Sequence, residues 1–327
     1  MSKSKIEWTD VTVNPFPGCC KVSPGCENCY AERMAQRLKA MGQPQYQDVV
    51  DEHGWTGRSC CAGADVMRVP GRGKKVFVNS MGDLAYQEVP FPGFCRVMGH
   101  VMLQPWHTFQ ILTKRPSELA ERIDRIIDAG TAARYLSPLM LLADAVATDY
   151  TEAQFAHANQ WYKTNVDQSD RGICDLPVRW PLVNLWVGAT CEDQPWYERR
   201  AQDLVECRAA VHFLSLEPFL GPIQLGWPRS KERTGEFFAR RESLGIDWVI
   251  VGCESGPNRR PCDIRWVADI YEQCGAAGVP PLIKQIDIDG EVVHDAERIA
   301  LELSGYVGRR LFVEDIRQFP AGSEEAV

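Results

Sequence analysis

Short apolar runs that end in polar or charged clusters recur along the chain. They are "KKVFVNSMGDL" (Lys74 to Leu84), "HTFQILTKRP" (His107 to Pro116), "LVNLWVGATCED" (Leu182 to Asp193), "AVHFLSLEP" (Ala210 to Pro218), "DWVIVGCESG" (Asp247 to Gly256) and "PPLIKQ" (Pro280 to Gln285). Near-continuous apolar runs of roughly four to six residues read as strands buried on both faces, the pattern of parallel strands covered by helices. Amphipathic segments lie between them. "YAERMAQRLKAM" sets Met34 and Leu38 on one face with Ala31 and Ala35 beside them. "SELAERIDRIIDA" repeats Leu119, Ile123, Ile126 and Ile127, with Ser117 as the expected N-cap after Pro116. "DQPWYERRAQDLVE" and "IRWVADIYEQCGAAG" read the same way, the second stopping at Gly275 or Gly278. Strand alternating with helix predicts βα units and a parallel sheet. With one more strand near "EWTDVTVNP", the set predicts an α/β fold built as a partial or full (β/α) barrel. A dinucleotide fold lacks its main support, since no G-x-G-x-x-G follows any strand.

The barrel is expected over residues 1–285, with two stretches that break the pattern. Residues 43–72 are rich in glycine and polar residues and read as an irregular insertion. Residues 131–179 are longer than one crossover helix needs, and "LSPLMLLADAV" and "TEAQFAHANQWYK" read as helices of a lid or subdomain. Residues 286–327 read as a C-terminal extension with a turn at Asp289-Gly290 and a disordered tail, "AGSEEAV".

The polar clusters supply Asp83, Lys114 with Arg115, Glu192 with Asp193, Glu217, Glu254, and Lys284 with Gln285. In a (β/α) barrel the C-terminal strand ends form one rim, and that rim carries the active site. The plainer reading is that loops are polar. Glu217 and Glu254 resist it, because "FLSLEPF" and "VIVGCESG" are apolar contexts in which an unpaired carboxylate is costly.

Composition narrows the function classes. The 327 residues are 45% hydrophobic and 24% charged, which suits a chain with a sizeable core. Net charge is −8 and the isoelectric point about 5.4, which argues against a broad basic surface that coats nucleic acid. No apolar run reaches roughly 18 residues, and "MSKSKIEWTD" has no signal-peptide core, so a cytoplasmic location is expected. The 13 cysteines do not fit a secreted disulfide scaffold at this length. Cys95, Cys174, Cys207 and Cys274 are scattered and read as small buried hydrophobes.

The remaining chemistry lies in "GCCKVSPGCENCYAE", Gly18 to Glu32. Cys26 and Cys29 form a C-x-x-C whose two sulfurs can face one metal or cluster, and "SPG" turns the chain so that Cys19 or Cys20 can join them. Three readings are open. A 4Fe–4S cluster on three cysteines leaves one iron for a substrate or cofactor. Zinc needs a fourth ligand, for which Cys60, Cys61 or His53 are available. The thiols could also be unliganded.

The blocks "IEWTDVTVNPFPGCCKVSPGCENCYAERMA", "VFVNSMGDL", "ILTKRP", "LWVGATCED", "FLSLEPFLGPI", "WVIVGCESGPNRRP" and "IKQ" resemble, in order, a phage-associated family usually labelled gene products thirty-seven and sixty-eight. That family is similar in turn to radical S-adenosylmethionine (SAM) enzymes. The resemblance implies a partial barrel with a site-differentiated 4Fe–4S cluster on Cys19, Cys26 and Cys29, with Cys20 a spare thiol. It implies that SAM chelates the open iron, that its reductive cleavage gives methionine and a 5′-deoxyadenosyl radical, and that this radical takes hydrogen from a substrate. The usual C-x3-C-x2-C motif has an aromatic residue before its last cysteine. Here the first gap is six residues, Asn28 stands at the aromatic position and Tyr30 follows the cysteine. Carried onto this sequence, the resemblance makes Tyr30 the adenine contact and sets Asp83, with Ser80, at the SAM amino group. Lys114 or Arg115 then faces the methionine carboxylate, Glu192 the ribose, and Gly252 allows a close backbone approach. Glu217, Glu254 and Lys284 are left to bind or protonate substrate.

The leading expectation is a radical SAM enzyme supplied by a flavodoxin- or ferredoxin-type reductant, acting on a nucleotide, DNA base or nucleic acid-linked group. The alternative is a zinc-stapled barrel that binds nucleic acid or protein without redox chemistry. A third reading, a repair enzyme related to photoproduct lyases, shares the cofactors and differs in substrate.

Overall fold

The apolar runs become strands because each side of the sheet is covered. In the computed structural model, which describes residues 4–132, 138–165, 180–228 and 245–320, the order begins with β1 (Val11–Val13), α1 (Tyr30–Ala40), β2 (Val50–Asp51), β3 (Gly54–Trp55), β4 (Lys75–Val78) and α2 (Phe91–Leu103). It continues with β5 (Thr108–Thr113), α3 (Pro116–Ala132), α4 (Pro138–Ala145), α5 (Glu152–Asn165), β6 (Leu185–Thr190), α6 (Gln194–Glu206) and β7 (Val211–Leu216). Then come β8 (Trp248–Gly252), α7 (Ile264–Ala277), β9 (Pro281–Ile288), β10 (Glu291–Val293), α8 (Ala296–Val307) and α9 (Val313–Ile316). Every expected strand run holds one strand of an 8-stranded sheet ordered β1-β4-β5-β6-β7-β8-β9-β10. All neighbours are parallel except β9 and β10.

The order never reverses, so right-handed crossovers put the connecting helices on one face. That face holds the larger core. Val76, Val78, Phe109, Ile111, Leu185, Val187, Leu214 and Val249 meet Met98, Ile123, Leu204 and Ile270 from the helices. The alternate residues face the other way and form a second cluster of Trp8, Phe77, Trp186, Phe213, Trp248, Ile250 and Leu282, with Ile6 and Phe319 packed against it. Gly188 is required there, because a Cβ would stand 2.3 Å from the Phe213 ring.

The sheet does not close. A full barrel, one of the two expected forms, is not found, because β9's outer edge is already taken. Asp289 and Gly290 both have positive φ (49° and 80°), the two-residue turn that sends β10 back antiparallel onto β9. Below it Arg317 bridges Leu282, and Trp248 donates its indole N–H to the Gln318 carbonyl at 2.8 Å. The expected boundary after Gln285 falls inside β9, and α8 packs against α7. The tail from residue 321 lies outside the described residues, as does Cys174.

Three local expectations meet the structure as follows. Ser117 is not an N-cap: α3 begins at Pro116, whose fixed φ suits the first helical position, and Leu119 N donates to the Arg115 carbonyl at 3.1 Å. Gly278, not Gly275, ends α7, with φ of 65°. The helices α4 and α5 pack on α2, with Gly99 of α2 so close to α4 that a Cβ would meet the Leu142 carbonyl at 2.6 Å. No helix among the described residues is long and apolar enough to cross a membrane.

One buried group sets a pH dependence. His100 of α2 is fully buried, with Nδ1 2.8 Å from the Tyr150 hydroxyl and Nε2 3.2 Å from Asp149, itself paired with Arg96. Burial pushes its pKa down from 6.5 to about 4, against the opposing pull of Asp149. The unfolded chain therefore takes the proton first as pH falls. Stability is full above about 6.5 and is lost by up to about 3 kcal/mol on the way to pH 4. Urea midpoints at the two ends of that range should differ accordingly, and the difference should shrink in His100→Gln. Equal midpoints in the wild type would count against a neutral buried imidazole.

Candidate functional site

The segment Gly18–Cys29 leaves the C-terminal end of β1 and crosses the rim before entering α1. Its entry is clamped by backbone. Gly18 has φ of 110°, and a Cβ there would stand 2.2 Å from the Arg58 carbonyl. Gly18 N donates to the Met81 carbonyl at 3.0 Å and Cys60 N to the Pro17 carbonyl at 3.0 Å. The loop after β4 is tied to the same place. Ser80 Oγ and Met81 N both donate to Asn14 Oδ1, at 3.2 and 2.8 Å, and the Tyr30 hydroxyl donates to the Ser80 carbonyl at 2.9 Å.

Cys19 and Cys20 are held by the ends of β4 and β5. Arg115 donates through Nη1 to Asp83 at 2.9 Å and to Cys19 Sγ at 3.7 Å, and through Nη2 to Cys20 Sγ at 3.1 Å and its carbonyl at 3.0 Å. Asp83 also accepts from Thr113 Oγ1 (2.7 Å), Lys114 N (3.1 Å) and Ala85 N (3.0 Å). Burial, reinforced by the Asp83 charge, pushes the Cys19 thiol up to about 12, and Arg115 opposes both.

The turn at Pro24–Cys26 is held from the far side. Gly25 N donates to Glu192 Oε1 at 3.1 Å, and a Cβ on Gly25 would approach that oxygen to 2.8 Å. The other Glu192 oxygen accepts from Arg200 at 2.7 Å, a pair with both partners buried. Asn28 Nδ2 donates to Glu254 at 3.0 Å and to the Asn258 carbonyl at 3.0 Å. Glu254 is chelated by Arg260, whose Nη1 also reaches the Pro24 carbonyl (2.9 Å) and Glu27 (3.0 Å). Burial alone would raise the Glu254 carboxyl, but the Arg260 bonds outweigh it and hold it below the usual carboxylate range.

Glu217 and Lys284, from the ends of β7 and β9, form a third unit. Lys284 Nζ lies 2.8 Å from Glu217 Oε1, and Ser215 Oγ donates to the other oxygen at 3.3 Å. Gly252 leaves the room this carboxylate occupies, since a Cβ there would meet Glu217 Oε1 at 2.5 Å. Burial disfavours the Lys284 charge, yet the Glu217 carboxylate holds its pKa above the ordinary lysine value. Lys114 has no ion-pair partner among the described residues, and the Tyr30 ring is half exposed.

The charged residues singled out at the strand ends thus belong to one rim, in three groups. Asp83 and Arg115 bind the Cys19–Cys20 end. Glu192 and Glu254 bind the Cys26–Cys29 end. Glu217 and Lys284 pair with each other, leaving Lys114 and Tyr30 with free surface. Sequence reasoning missed Arg260, although it stands in the block "GPNRRP", and Arg200, which lies eight positions after Glu192 with nothing in the sequence to link them. Among the described residues no three His, Cys, Asp or Glu side chains stand together closely enough to hold one metal ion. His53 is exposed beside Glu52, Cys61 is exposed, and Cys60 packs against the small cluster of Ala31, Ala35, Tyr46 and Val50 that α1 covers. Cys95, Cys207 and Cys274 are buried, as their scatter suggested.

No curated protein and no solved structure matches the chain. A family model matches residues 3–310, nearly the whole chain, and the protein therefore belongs to the family described as "Protein of unknown function (DUF5131)".

Proposed function

We propose that this rim holds a 4Fe–4S cluster on Cys19, Cys26 and Cys29 together with SAM, and that the protein is a radical SAM enzyme on an open (β/α) barrel of that type. One observation carries the reading. A single loop bearing four thiols is fastened across the C-terminal strand ends by side chains that follow β4, β5, β6 and β8, the place where a parallel sheet keeps its active site. The donor set fits the group: soft thiols, one of them met by a guanidinium. Thiols that ligate separate irons of a cube need not converge on a point, whereas four zinc ligands must lie about 2.0–2.3 Å from one ion. Three cysteines complete the protein ligands of such a cluster, whereas a structural zinc needs a fourth.

The chemistry such a cofactor pair supplies is one-electron cleavage of a sulfonium followed by hydrogen abstraction. The chain's own residues then divide the remaining work. Lys114, with its free ammonium, meets the carboxylate of the bound amino acid moiety. Tyr30 offers its ring face to a planar base. Glu217 and Lys284 hold a proton between Oε1 and Nζ at the edge of the substrate space. Glu192 and Glu254 keep the thiol loop in register and do not reach substrate. A nucleotide or an unstacked base is the substrate class this rim suits, since the net charge of −8 disfavours unaided duplex binding.

The test is anaerobic reconstitution with iron and sulfide, then SAM and dithionite. Bound iron and sulfide in equal amounts and formation of 5′-deoxyadenosine are expected. Stoichiometric zinc without iron in an oxygen-free preparation would remove the enzymatic reading and leave a zinc-stapled binding module.

A further inference from the structure

Resting on the iron–sulfur reading and going beyond it, we infer that Arg115, locked by Asp83, is a positioning residue that donates hydrogen bonds to the sulfurs at the Cys19–Cys20 end and so raises the reduction potential of the group that Cys19 ligates. Its guanidinium is spent on this task. A guanidinium offers five N–H donors in a planar fork. Nη1 is shared between Asp83 and Cys19 Sγ, and Nη2 between Cys20 Sγ and the Cys20 carbonyl. The Tyr86 ring covers the guanidinium at 4.9 Å, and the residue is only 8% exposed. It is therefore not placed to meet a ligand carboxylate, a role that falls to its neighbour Lys114.

Asp83 explains why the effect is directional. Its own oxygens are fixed by Thr113 Oγ1, Lys114 N and Ala85 N, so it holds Arg115 in one orientation. The pair carries no net charge. What it presents to the two sulfurs is a set of aimed N–H dipoles. Hydrogen bonds to ligating sulfur favour the more electron-rich, reduced form and move the potential upward. The same contacts give Cys20 its place: its sulfur and carbonyl take Nη2, leaving Nη1 to Asp83 and Cys19.

The experiment compares reconstituted wild type, Arg115→Lys, Arg115→Gln and the double variant Asp83→Asn/Arg115→Gln by redox titration followed in the visible spectrum and by electron paramagnetic resonance, with iron content measured in each. At one ambient potential the ratio of reduced to oxidised protein should fall about tenfold in Arg115→Gln, a shift of about 59 mV for a one-electron couple. The double variant should move in the same direction, and Arg115→Lys should fall between. Breaking a buried pair by removing one partner can prevent folding. The double variant removes both charges together and carries the test in that case. An Arg115 that merely partners Asp83 predicts a fully loaded double variant that titrates like wild type, and that outcome would overturn the inference alone. A wild type that takes up no iron would remove the cluster reading first, and the inference with it.

Discussion

Glu192→Ala should lower the folding free energy by about 3–5 kcal/mol, read from urea denaturation, and should free the thiol loop at the same time. The size follows from what is left behind. Arg200 is 3% exposed, and among the described residues two of its guanidinium nitrogens lack hydrogen-bond partners. Nη1 bonds only Glu192 and the Thr190 carbonyl, both at 2.7 Å, while the guanidinium stacks 4.2 Å from the Trp196 ring. Without Glu192 a buried cation faces a single carbonyl, and the Gly25 amide loses its acceptor. Glu192→Gln keeps the shape but only one of the two acceptors, its NH2 then facing either Gly25 N or Arg200 Nη1, so its loss should be smaller than that of the alanine variant but still above about 1 kcal/mol. The Gly25 amide should exchange faster with solvent in the alanine variant. A loss below about 1 kcal/mol would mean that the Glu192–Arg200 pair does not hold the rim together.

The cysteine series carries the second large effect. Cys26→Ala and Cys29→Ala should reduce iron and sulfide uptake to background, a fall of more than about 100-fold in occupancy, because a ligand matters more than the outer partners whose loss costs 10–100-fold. Cys19→Ala should do the same, while Cys20→Ala, Cys60→Ala and Cys61→Ala should load normally. Cys26→Ser separates packing from ligation. A hydroxyl fills nearly the same space as the buried thiol but is a poor soft ligand, so this variant should fold and remain empty. Full loading and full 5′-deoxyadenosine formation by Cys26→Ala would sink the ligand assignment.

The strands were readable because a parallel sheet covered on both faces needs uninterrupted apolar runs, as in "LWVGAT", where every residue of β6 is buried. The helix α2 was not readable. Most of "FPGFCRVMGHVML" is buried, between the sheet on one side and α4 and α5 on the other, so no polar face marks a helical period. Pro90 before it and Pro92 and Gly93 in its first turn look like a turn, though proline is at home in a first helical turn. The open edge was equally hidden. Asp289-Gly290 announced a turn, but not that the strand after it would take the edge a closing strand needs.

The site shows the same division. Chain order alone put the carboxylates, cations and thiols at the ends of strands, hence on one rim, because in a parallel sheet every strand end of one polarity lies on one side. Which of them touch was decided by the fold. Glu192 and Glu254 look alike in sequence to Glu217, yet two hold the cysteine turn and the third pairs with Lys284. Asp83 and Arg115, 32 positions apart at the ends of consecutive strands, meet because β4 and β5 are neighbours. The sequence alone determined the strands, most of the helices and the end of the sheet at which the charged residues and thiols gather, since these follow from local periodicity and strand direction. The partner of each charge was set only in three dimensions, because a side-chain hydrogen bond depends on ångström distances between residues up to 236 positions apart, and no local pattern encodes those.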